Sequence, residues 1–139
     1  MLDLKGDPTD ALRPLGSNSF GLLTAHDVLQ RVRDTVEFFN QAHRVLRHGG
    51  LLLTSTPSTD GRGAFQDPTH ISFFNENSFW YFTDPSKAGF VPGLTAHFQT
   101  SRLETYFPDE WHEANKISYV RANLISVKDG PRQGGSLLW

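Results

Sequence analysis

The sequence predicts an α/β fold in which parallel strands are joined by a crossover helix and followed by a carboxyl-terminal pair of antiparallel strands. Three observations predict it. Two short, mostly apolar runs at 20–25 and 51–56 are bounded by turn residues, as buried strands are. Between them Val32, Val36, Phe39, Ala42 and Leu46 recur at steps of three and four, the period of an amphipathic helix. Beyond Gly93 the period falls to two.

Residues 6–19 hold Gly6, Pro8, Pro14, Gly16, Ser17, Asn18 and Ser19, loop chemistry around a short segment at 12–15. The first strand follows at 20–25. Asp34 can cap the helix, Glu37 has capping-box spacing, and Arg44, Arg47 and His48 sit where the helix dipole favours cations. Gly49-Gly50 is the expected exit, with the second strand two residues later and Pro57 ending it. Strand, helix, strand is the signature of a parallel crossover, and it implies a sheet covered on both faces. Residues 57–93 open as a loop and then place seven aromatics between Phe65 and Phe82, with a short helix expected over 76–83 after Asn75. Alternation of Leu103, Thr105 and Phe107 against Arg102, Glu104 and Tyr106 marks a strand near 99–107, and 117–127 supplies its partner. Residues 130–139, with Pro131, Gly134 and Gly135, read as a flexible tail after a domain at 1–129.

Composition narrows the function. The 139 residues carry 13 Lys+Arg against 15 Asp+Glu, a net charge of −2 with no basic block, which gives no electrostatic footprint for nucleic acid or anionic lipid. Neither partner is expected. With no cysteine, a thiolate nucleophile, a disulfide framework and a Cys-ligated zinc site are excluded. The amino terminus is too polar for a signal peptide, and no apolar run approaches a membrane span, so a soluble, cytoplasmic protein is expected. His43 and His48 are five apart, do not share a helical face, and give no metal site. No G-x-S-x-G elbow anchors a hydrolase triad, and Gly61-Arg62-Gly63 lacks the lysine of a phosphate loop.

Ligands of open parallel sheets bind beyond the carboxyl ends of the strands, here Ala25-His26-Asp27 and Ser55-Thr56-Pro57. His26 and Asp27 are therefore candidates for contacting an adenosine or amino-acid group; the alternative is that Asp27 caps a local turn. In Asp67-Pro68-Thr69-His70, His70 could accept a proton from a substrate with Asp67 orienting its ring, or Asp67 could form an Asx turn and His70 pin the loop. The aromatics Phe73, Phe74, Phe79, Trp80 and Phe82 form either an apolar lid or local core.

Two segments carry a family resemblance: Ser17-Asn18-Ser19-Phe20-Gly21-Leu22-Leu23-Thr24-Ala25-His26-Asp27-Val28-Leu29, and Arg44-Val45-Leu46-Arg47-His48-Gly49-Gly50-Leu51-Leu52-Leu53. Together they resemble the second half of a class I S-adenosylmethionine-dependent methyltransferase, in which a D-x-S-F-D segment leads through a strand to a V-L-E-H turn and the next helix ends R-V-L-K-P-G-G. The resemblance covers roughly residues 3–83. It implies a partial Rossmann-like methyltransferase sheet, S-adenosylmethionine as cofactor, and methyl transfer to an oxygen, nitrogen or carbon nucleophile. The Asp67-Pro68-Thr69-His70 segment is similar to a D-P-T-H loop in a subgroup acting on sugars or other small polar acceptors.

Carried over residue by residue, the resemblance implies Asp7, His26 and Asp27 at the cofactor and His70 with Asp67 at the acceptor. Departures accompany these matches. Gly21 replaces the family's Asp, Gln30-Arg31 replaces its Glu-His, and no G-x-G-x-G occurs in the chain. The rival expectation is a truncated or degenerate, non-catalytic scaffold that acts through a homodimer or a partner chain completing the sheet.

Overall fold

The computed structural model describes residues 6–128; the tail expected at 130–139 lies outside the described residues. Asp7 opens the first helix, α1 (Pro8–Leu12): its Oδ1 accepts the Thr9 amide at 2.9 Å, and Pro8 fills a first-turn position that needs no amide. β1 (Phe20–His26) alternates, with Ala25 2% exposed and Leu22 52%, so one face of the strand is inside. A 3-10 turn, Leu29–Arg31, leads to α2 (Thr35–Val45). Asp34 caps α2 as expected, accepting the Glu37 amide at 3.0 Å. The Glu37 carboxylate turns instead to Arg13 and Gln41, so the capping box keeps only its first bond.

The helix does not reach the expected exit at Gly49-Gly50. It stops at Val45 because Leu46 is extended (φ −80°, ψ 137°) and pairs with Phe20, so that β2 (Leu46–Pro57) begins without a connecting loop. The glycines serve the strand. While β1 advances from Phe20 to Leu22, β2 advances from Leu46 to Leu51, and the surplus residues form a bulge. Gly49 there has φ 81°, and a Cβ on Gly50 would lie 2.9 Å from the Arg47 carbonyl oxygen.

Short pieces follow: α3 (Gly63–Gln66), then a 3-10 turn Glu76–Phe79 running into α4 (Trp80–Thr83), and α5 (Pro85–Ala88). The helix expected over 76–83 is thus present, opened by a capping box between Asn75 and Ser78. β3 (Phe98–Tyr106) and β4 (Tyr119–Ser126) form the expected antiparallel pair, with α6 (Glu110–Ala114) in their connection. The four strands lie in the order β1-β2-β4-β3; β1 and β2 are parallel and the other neighbours antiparallel.

The core sits between the sheet and α2. Phe39, fully buried, stacks on Phe82 at 3.9 Å between ring centroids and meets Phe79 and Phe98 edge-on. Phe74, Phe79 and Phe82 are therefore core, whereas Phe73 and Trp80 are 47% and 43% exposed. The opposite sheet face is open: Thr24, His26, Leu53, Ser55, Arg121 and Asn123 are among the residues that line a hollow of about 310 Å³ there. Among the described residues, the expected cover on both faces is present on one, because α1 and α2 pack on the same side as the aromatic segment. No helix of the described residues is long and apolar enough to cross a membrane.

Candidate functional site

The parallel strands β1 and β2 end together. The Asp27 amide donates to the Ser55 carbonyl at 2.8 Å and fixes the first residue beyond β1 against the end of β2. A pocket of about 290 Å³ opens at these exits; its walls include Asp27, Arg31, Asp67, His70, His112 and Tyr119. Three of the five residues singled out from the sequence, Asp27, Asp67 and His70, thus meet in one cavity. His26 and Asp7 are not among its lining residues.

Asp27 has φ 55°, a left-handed conformation that Asp tolerates better than most residues. Its carboxylate accepts the Tyr119 hydroxyl, and burial together with this bond pushes the Tyr119 phenol well above its ordinary range. Tyr119 therefore stays protonated and holds Asp27 in place. His26 is 3.4 Å from Asp27 through Nε2, but its side chain is 72% exposed and belongs to the open sheet face. Asp7 accepts the Thr9 amide at Oδ1 and the Arg33 amide at Oδ2, both at 2.9 Å. Its carboxyl is held low: partial burial opposes the charge, and these two amides outweigh it.

Asp67 does form the Asx turn. Its Oδ1 accepts the Thr69 amide at 2.8 Å and the Thr69 hydroxyl at 2.7 Å, which lowers its pKa, with further contributions from His70 and Arg31. The His70 ring lies between two groups, the Ala64 carbonyl and the Asp67 carboxylate. The Ala64 carbonyl, 3.1 Å from Nδ1, can only accept, so Nδ1 carries a proton, while Nε2 lies 3.5 Å from Asp67 Oδ2.

The structure adds a second imidazole that sequence reasoning missed. His112, on α6, has Nδ1 2.7 Å from Asp109 Oδ1, and the same oxygen caps the helix by accepting the His112 amide at 2.9 Å. These two bonds hold the Asp109 carboxyl below its usual range. With Nδ1–H directed at a carboxylate, Nε2 of neutral His112 is left with its lone pair. A signal was available: Asp109-Glu110-Trp111-His112 repeats the Asp-x-x-His spacing of Asp67-Pro68-Thr69-His70.

The departures at Gln30-Arg31 also face this pocket. Gln30 is 3% exposed; its Oε1 accepts the Thr56 hydroxyl at 2.9 Å, and its carbonyl accepts the amides of Ile71 and Ser72 at 2.8 and 3.1 Å. At the other departure, Gly21, the Arg47 guanidinium occupies the space a side chain would need. Among the described residues no group of three or more His, Asp or Glu is arranged to hold a metal. The pocket can hold a small polar ligand between carboxylate, imidazole and guanidinium groups, and can receive a proton.

Comparison with known proteins agrees with this architecture. Residues 3–54 match the family model described as a methyltransferase domain. No curated protein matches the sequence. Among solved structures, the [4+2]-cyclase SpnF is similar at TM-score 0.57 and 13% identity, over 85% of this chain and 55% of its own. A methyltransferase from Bacillus halodurans is similar at TM-score 0.55 and 13% identity, over 83% and 68%. A chain of the complex between the Trm112 methyltransferase activator and a methyltransferase from Haloferax volcanii gives TM-score 0.61 at 10% identity, over 88% and 60%. The protein thus spans little more than half of SpnF. It has the mixed α/β fold of part of a Rossmann-like methyltransferase domain.

Proposed function

We propose that this chain is the acceptor-binding part of an S-adenosylmethionine-dependent methyltransferase acting on a small-molecule or sugar-type acceptor. One observation carries the reading: two imidazole–carboxylate pairs, Asp67–His70 and Asp109–His112, flank a single pocket at the exits of two parallel strands. The match of residues 3–54 to a methyltransferase domain supports it. Fold alone does not, since SpnF is described as a cyclase.

The residues present fit one flank of the cofactor. His26 ends β1 and Asp27 follows it, where the resemblance puts cofactor contacts, and an apolar hollow of about 110 Å³ between α1 and β1 has Pro8, Leu23, Ala25 and Phe38 in its walls, with Asp7 next to Pro8. A glycine-rich turn to approach the methionine part is not in the sequence. Bound S-adenosylmethionine supplies an electrophilic methyl group; the residues described here position the nucleophile and manage its proton. His112 accepts that proton at Nε2, with Asp109 fixing its tautomer as a carboxylate fixes a catalytic histidine. His70 and Asp67 hold the acceptor's polar groups on the facing wall.

Calorimetric titration with S-adenosylhomocysteine tests the reading. Saturable binding at one site per chain supports it, and a folded chain that binds none opposes it. A second reading, a scaffold completed by another chain, is favoured by β1, a sheet-edge strand with Phe20 38% and Leu22 52% exposed. Its test is size in solution: a dimer that binds the ligand only when assembled supports completion by a second copy.

A further inference from the structure

We infer that Arg31 is an anchor for an anionic oxygen group, a carboxylate or a phosphate, on the ligand that enters this pocket. The inference rests on the acceptor-pocket reading above and names the chemistry of what the pocket takes.

Partners in the site are unevenly distributed. Several acceptor oxygens already have donors: Asp67 Oδ1 the amide and hydroxyl of Thr69, the Asp27 carboxylate the Tyr119 hydroxyl, and Gln30 Oε1 that of Thr56. Asp109 is committed to His112. Arg31 is the opposite case. Its Nε is buried without a hydrogen-bond partner, and its guanidinium forms no ion pair with any described carboxylate, although Asp67 senses its charge. A buried donor on a charged group is costly to leave unmatched, and a planar guanidinium is matched best by a carboxylate or phosphate that takes two of its N–H groups.

The mounting of Arg31 supports the same conclusion. It ends the 3-10 turn Leu29–Arg31, whose neighbour Gln30 is fastened by its side chain to β2 and by its carbonyl to residues 71 and 72. Leu29 and Val32 on either side are fully buried. The backbone under Arg31 is thus fixed at several points while its head group closes no ion pair with a described carboxylate, the arrangement expected of a binding residue held for a ligand. A purely structural arginine behaves differently here: Arg44, for comparison, donates to the carbonyls of Leu12 and Leu15 and to Gln41.

The test uses the full chain, labelled with nitrogen-15 at arginine, and follows the Nε–H resonances by NMR. Sodium phosphate and sodium acetate are titrated separately against sodium chloride at equal ionic strength. The expected result is a saturable shift of the Arg31 Nε–H signal with phosphate or acetate and none with chloride; the stronger of the two names the ligand class. By calorimetry Arg31→Gln should weaken binding at least about tenfold, with Arg31→Lys in between because it keeps charge but loses the fork. Circular dichroism confirms that both variants fold. An unmoved Arg31 signal, or affinity unchanged in Arg31→Gln, overturns the proposal. S-adenosylhomocysteine binding, measured on the same samples, separates the two ideas: cofactor binding without anion binding removes the Arg31 anchor alone, and anion binding without cofactor binding removes the methyl-transfer reading and leaves the anion site.

Discussion

His43 donates from Nε2 to the carbonyl oxygen of Val127 at 2.8 Å, tying α2 to the residue just past β4. Burial lowers its pKa, the Val127 bond only partly offsetting this. The sign follows from linkage: the unfolded chain, with a histidine pKa of about 6.5, binds a proton that the folded chain resists, so stability is full above that value and falls as pH drops through it. The melting temperature should decline between pH 7.5 and pH 5.5, and in His43→Gln this decline should flatten. An identical slope in the variant assigns the effect to other groups.

Phe39 is the aromatic on which Phe79, Phe82 and Phe98 converge. Its replacement by Ala should cost about 3–5 kcal/mol, the usual range for a fully buried phenylalanine. Urea unfolding measures it directly. A loss under about 1 kcal/mol would place the core elsewhere.

Thr56, fully buried, supplies the hydroxyl that satisfies Gln30. Thr56→Val keeps the volume and removes the donor, stranding a buried acceptor at a cost of about 1–3 kcal/mol. Its arginine spectrum should also show a displaced Arg31 signal, since the turn below that residue loses one fastening. Unchanged unfolding would mean that Gln30 finds another donor.

The two imidazoles separate kinetically. Once an acceptor is found, His112→Ala should lower kcat by about two to four orders of magnitude with little change in cofactor affinity, and Asp109→Asn should lower it less. His70→Ala should act mainly on acceptor KM. The reverse pattern would return the proton to His70.

Much of the fold could be read because its elements have clean periods: alternation in 103–107 and the three-and-four spacing of 32–46 depend only on neighbours in sequence. The end of α2 could not be, since Leu46 is drawn into the sheet by Phe20, a partner 26 positions away, and the glycines that looked like a helix exit belong to the bulge this pairing creates. The site divides in the same way. Asp27, Asp67 and His70 follow strand ends or a recognisable loop. His112 reaches the pocket only because the β3–β4 connection folds over it, and Arg31 stood out merely as a departure from a familiar pattern.

The wall that carries Trp111 and His112 has a further consequence. It hangs on α6, five residues between two strands whose register is fixed from Phe98↔Ser126 to Tyr106↔Tyr119. Exchanging residues 107–115 for a segment of another length or composition would therefore reshape one side of the cavity and leave the sheet, the Ser58–Ser118 and Arg62–Lys116 bonds and the Gln30 fastenings untouched. That makes the connection a natural cassette for diversification, through which one scaffold can be retuned to new ligands by grafting rather than by redesign.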